Sequence, residues 1–124
     1  MTLGVTDPRR VMVGTDRSET AEQAVRWAAV FADRFEAELH VVQVIVPNYP
    51  ADPERGAAER IQTAADDLAR HARSIAGDRG RAKVVVDDDP AFAIVRAAEE
   101  AAIDVLVVGN AGMAGRRQDR KSVV

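Results

Sequence analysis

The chain has 124 residues, 47% hydrophobic and 30% charged, a size and composition that build one domain with its own core and exclude a disordered chain. It has no cysteine, which excludes a disulfide framework, a thiolate metal centre and a cysteine nucleophile. The net charge of −3 divides unevenly: the last ten residues, with Arg116, Arg117, Arg120 and Lys121 against Asp119, carry +3 and the remainder −6, a body too acidic for broad nucleic-acid binding.

No apolar run reaches the roughly 18 residues that a membrane span needs. Met1 to Arg10 lacks the apolar stretch of a signal peptide, so a cytoplasmic domain that contacts no membrane is expected. In chain order, Arg10 to Gly14 reads as a first strand closed by glycine. Ser18 then offers an N-cap, and Ala21, Ala24, Val25, Ala28, Phe31, Ala32 and Phe35 form one apolar stripe at helical spacing. Leu39 to Val46 is rich in valine and suits a second strand buried on both faces. Pro47, Pro50 and Pro53 place a loop over residues 47–53. A second helix over about 54–76 follows, with Ile61, Ala65, Leu68, Ala72 and Ile75 inward and Gly77 and Gly80 at its end. Ala82 to Val86 is the third strand. Asp89-Pro90 is a strong helix start, and Phe92, Ile94, Val95, Ala98 and Ala102 give the third helix an apolar side. Val105 to Val108 is the fourth strand, ended by Gly109.

Strands alternating with helices predict an α/β domain with a doubly wound parallel sheet. The economical strand order is 3-2-1-4. That order sets the loops after strands one and four side by side at the carboxyl edge of the sheet, where such folds bind ligands. Gly109 and Gly112 could present backbone N–H groups to an anion. Asp16 could accept from ribose hydroxyls or help hold a hydrated Mg²⁺, and it could equally cap the first helix. His40 and His71 fall on different elements, which does not suggest a metal site. Asp87, Asp88 and Asp89 read as a helix cap with a solvated acidic turn. Ser18 has no His or Lys at a spacing that would activate it.

Three stretches together resemble the universal stress protein family. They are Val11-Met-Val-Gly-Thr-Asp-Arg-Ser-Glu-Thr-Ala21, Glu38 to Pro47, and Asp104-Val-Leu-Val-Val-Gly-Asn-Ala-Gly112. The resemblance runs over about residues 9–115 and implies a Rossmann-like fold of the adenine nucleotide alpha hydrolase-like kind. In that family the sheet usually has five strands, in the order 3-2-1-4-5; many members bind ATP and most form homodimers. By position, Asp16 resembles the ribose-contacting residue, Val44 the one whose backbone reads adenine, and Gly109 and Gly112 the first two phosphate-loop glycines. Thr15 stands beside the aspartate and is included in the site.

The resemblance implies a stress-response domain that binds ATP, with or without Mg²⁺, and is not an enzyme beyond slow incidental hydrolysis. The alternative is an interaction module of the same fold without a nucleotide. That alternative draws on a departure: Ser122 and Val123 stand where the family motif Gly-x2-Gly-x9-Gly-Ser/Thr has its last two residues. The expectation is therefore one domain over 1–124, a missing fifth strand, and an atypical, poorly ordered tail over 113–124.

Overall fold

The computed structural model describes residues 7–47, 54–109 and 122–123. Strand β1 (Arg10–Thr15) leads into helix α1 (Glu19–Phe35), β2 (Glu38–Ile45), α2 (Glu54–Ala76), a 3-10 turn (Gly77–Arg79), β3 (Gly80–Val86), α3 (Pro90–Glu100) and β4 (Val105–Val108). A two-residue strand, β5 (Ser122–Val123), completes the order β3-β2-β1-β4-β5. The first four strands are parallel, in the predicted order, and β1 and β4 are direct neighbours with Val11 opposite Val105 and Val13 opposite Val107.

Side-chain alternation along the strands divides the core in two. Val11, Val13, Leu39, Val41 and Val107 pack on one face with Val25 and Ala28 of α1 and Leu68 and Ala72 of α2. Met12 and Val42 point to the other face, against Ala97 of α3, with Val44, Ile94 and Leu106 alongside. The winding thus reverses after β3, and α3 carries the chain back over the opposite face to β4.

The helix starts follow capping chemistry. Ser18 caps α1 by accepting the Ala21 N–H at 3.1 Å, and Glu19 and Glu22 lie in the first turn, where carboxylates oppose the positive helix end. Asp89 caps α3 by accepting the Phe92 N–H at 3.1 Å, and Pro90 follows where no N–H is required. Helix α2 is 23 residues long but carries charge along its length; among the described residues no helix is long and apolar enough to cross a membrane.

The structure corrects the sequence reading at three places. First, α3 buries Ala93 and Ala97, with Ile94 and Ala98 beside them, while Phe92 and Val95 are about half exposed. Small alanines let the helix lie close on the sheet, with Ile94 packed beside them while Phe92 and Val95 are turned to solvent. Second, Gly80 does not end α2 but opens β3: a Cβ there would stand 2.3 Å from the Ala72 carbonyl oxygen. Gly77, at φ +60, makes the turn out of the helix. Third, the fifth strand is not wholly missing. Ser122–Val123 pairs antiparallel with β4, Val108 opposite Ser122 and Val107 opposite Val123. Two residues are too few to show strand periodicity in a sequence. The rest of the expected tail, and the proline loop beyond Pro47, lie outside the described residues.

Candidate functional site

At the carboxyl end of the strands lies a cleft of about 600 Å³, within the usual range of roughly 300–1,000 Å³ for small-molecule sites. Thr15, Asp16, Val44 and Gly109 all line it, so four of the five site residues expected from sequence converge. The fifth, Gly112, lies outside the described residues. The cleft straddles the tip of β1. Ala21 and Ala24 of α1 bound it on one side of the sheet, Ala91 and Ile94 of α3 on the other.

The loop from β1 to α1 is held by its own side chains. Thr15 is buried, and its hydroxyl oxygen accepts the Arg17 N–H at 2.9 Å. The Asp16 carboxylate is exposed and accepts the Ser18 N–H at 2.9 Å. Hydrogen bonding to Ser18, chiefly through its side chain, keeps the Asp16 carboxyl below the usual aspartate range. Asp16 is therefore an ionised acceptor at neutral pH. Between these bonds Arg17 sits at φ 69, a left-handed conformation that is uncommon outside glycine and is often found at functional sites.

Val44 belongs to the face of β2 covered by α3 and gives the cleft an apolar wall with Ile94. Gly14 forms the floor beneath Ile94: a Cβ on Gly14 would stand 2.8 Å from Ile94 Cδ1. Gly109 is fitted less tightly against α1, where a Cβ would meet that of Ala24 at 3.2 Å. Sequence reasoning missed the contribution of α3, namely Asp89, Pro90, Ala91 and Ile94. The signal was present in the topology. A helix that follows a parallel strand begins at the same edge of the sheet as the β1 loop.

The histidines are tied elsewhere. His71 Nε2 meets the Glu22 carboxylate between α2 and α1, and His40 Nε2 lies 2.9 Å from Glu38 Oε1. Glu38 also faces Arg10 at 3.5 Å and Arg81 at 3.4 Å, and these contacts, His40 first, lower its pKa. Among the described residues no group of three His, Asp or Glu side chains is placed to hold a metal ion.

The model of the universal stress protein family matches residues 8–120. The universal stress protein Rv2028c of Mycobacterium tuberculosis is 33% identical over 118 residues, an alignment that takes in 91% of this chain and 41% of the relative. The chain thus spans about two-fifths of the length of the curated relatives it matches. Among solved structures, a universal stress protein in complex with cAMP superposes with a TM-score of 0.64 at 29% identity, over 88% of this chain and 78% of that one. A family protein from Burkholderia pseudomallei superposes with a TM-score of 0.68 at 26% identity, over 89% of this chain and 87% of that one.

Proposed function

We propose that this chain, which belongs to the universal stress protein family, binds an adenine nucleotide in the cleft between the β1 and β4 tips and acts as a stress-response or signalling domain. The observation that carries the reading is the convergence of Asp16, Val44 and Gly109, from three separate strand ends, on one cleft of about 600 Å³. The walls fit the nucleoside half of such a ligand. Val44 and Ile94 offer apolar surface to a base, and the ionised Asp16 accepts from ribose hydroxyls. Gly109 also lines the cleft, and a side chain there would crowd Ala24. The cAMP complex of a related protein supports the ligand class.

ATP, with Mg²⁺ on its phosphates, is the specific form proposed, and a homodimer the assembly. No chemical step is assigned to the chain: the ligand acts by linkage, stabilising the folded form it binds. The test is a thermal melt with adenosine, cAMP and Mg·ATP at millimolar concentration. At one hundred times Kd a ligand adds about 2.7 kcal/mol, a rise of several degrees in a domain of this size. An unchanged midpoint with every adenine compound overturns the reading. One observation favours the alternative module without nucleotide, namely Ser122 and Val123 in place of the last glycine and hydroxyl residue of the family motif.

A further inference from the structure

We infer that Thr15 is a positioning residue for the ligand contact of Asp16: its hydroxyl oxygen holds the backbone just beyond Asp16, so that the carboxylate stands ready at the cleft. This role rests on the adenine-nucleotide reading above and adds to it the group that sets the ribose contact. Thr15 ends β1, and by strand alternation it falls on the face of Val11 and Val13, which pack with α1 and α2. Among the described residues it is the one polar residue in the buried set. A third valine would suit that face in shape, and a hydroxyl there costs desolvation unless it is bonded.

The Thr15 oxygen accepts the Arg17 N–H at 2.9 Å, which closes a ring around Asp16. Asp16 in turn accepts the Ser18 N–H at 2.9 Å. The peptide groups on both sides of Arg17 are therefore pinned by the two side chains that precede it. Arg17 itself sits at φ 69, where a residue with a Cβ is disfavoured, and the two bonds hold it there. Of the two, the Thr15 bond is the one anchored in the sheet, because β1 pairs with β2 as far as Thr15 opposite Gln43. The Asp16 bond comes from an exposed side chain at the cleft. A loop ordered in advance gives up less freedom when a ligand docks. That gain passes through the Asp16 carboxylate and disappears when the carboxylate is removed.

The test is a double-mutant cycle on the whole chain, read as affinity for adenosine and cAMP by calorimetry or fluorescence competition, with a melt on every variant. Thr15→Val keeps the shape and removes the acceptor; affinity should fall about three- to tenfold, no further than in Asp16→Ala. Thr15→Ser keeps the oxygen and removes a methyl; it should bind within about twofold of the unsubstituted chain even where it melts lower. Thr15→Ala, which differs from Thr15→Ser in the oxygen alone, repeats the comparison in smaller side chains. In an Asp16→Ala background, Thr15→Val should bring less than about a further twofold loss. Unchanged affinity in folded Thr15→Val or Asp16→Ala overturns the positioning role, as does an equal loss in Thr15→Ser, which marks packing alone. The full Thr15→Val loss repeated in the Asp16→Ala background overturns it too, since the hydroxyl then touches the ligand directly. In each of these cases the unsubstituted chain still binds and the nucleotide reading stands. Failure of adenosine, cAMP and Mg·ATP with the unsubstituted chain removes that reading and the positioning role together.

Discussion

The carboxylate of Asp104 accepts the backbone N–H of Arg10 at 2.9 Å, joining the start of β4 to the start of β1 across 94 positions of sequence. The same oxygen accepts the Arg9 N–H at 2.8 Å, and Asp104 N–H returns a bond to the Arg10 carbonyl at 2.9 Å. The pair thus sets the register of the two strands whose far ends form the cleft. The bonds from Arg9 and then Arg10 lower the Asp104 pKa. A depressed carboxyl contributes stability above its ordinary value of about 3.9, and that stability is lost as pH falls through the folded-state value. Asp104→Ala should cost about 1 kcal/mol near pH 7 and less below pH ~4, because this surface carboxylate is screened. Urea unfolding at both pH values checks it; an equal loss at both would reject the charge-dependent part.

Gly14 and Ile94 give a prediction in which binding and stability separate. A methyl on Gly14 reaches within 2.8 Å of Ile94 Cδ1, the flexible end of a side chain that lines the cleft. Gly14→Ala should cost about 1 kcal/mol or less in stability, since the Ile94 tip can turn aside. Nucleotide affinity should fall further, because that tip has to move within the ligand wall. Adding Ile94→Val should recover part of the affinity, with a coupling of about 0.5 kcal/mol or more in a double-mutant cycle. Strict additivity in that cycle rejects the steric account.

Gly80 allows no such escape. The atom opposing its missing Cβ is the Ala72 backbone oxygen at 2.3 Å, so α2 itself has to shift. Gly80→Ala should destabilise by about 1–3 kcal/mol, the range of a forced core overpacking. Gly77 has nothing within 4 Å of its absent Cβ and φ +60, so Gly77→Ala should cost only about 1 kcal/mol, from conformation alone. Comparable losses from the two substitutions in denaturant titrations would refute the distinction.

Asp16→Ala is the direct probe of the proposed ribose contact. Affinity for adenosine and cAMP should drop about tenfold, roughly 1.4 kcal/mol. The fold should lose about 1 kcal/mol through the missing acceptor for the Ser18 N–H, which melting will show. Unchanged affinity in the folded variant removes Asp16 from the site.

The strand order was legible because β-branched runs, glycine stops and two capped helix starts agree with one another along this chain. The same order brought the loops after β1 and β4 together, with Thr15, Asp16 and Gly109 on them, while Val44 entered the expected site through the family resemblance. The buried side of α3 was misread because Phe92 and Val95 outweigh alanine on any hydrophobic scale, while close helix–sheet packing prefers Ala93 and Ala97. Gly80 was misplaced because a glycine required by tertiary approach looks the same in sequence as one that ends a helix. The left-handed Arg17 and the grip of Asp104 on β1 had no local signature, since both depend on partners fixed by the fold. Gly112 falls outside the described residues, so its part in the site rests on sequence alone.

Ala24 and Ile94 approach the same hollow from opposite sides of the sheet. A small molecule seated between them would act as a rivet through the two helical layers, which the sheet otherwise separates. Its arrival would slow amide exchange at the beginnings of α1 and α3 together, and its departure would loosen both at once. A domain fastened in this way can report the abundance of a metabolite through its own rigidity, with no bond made or broken.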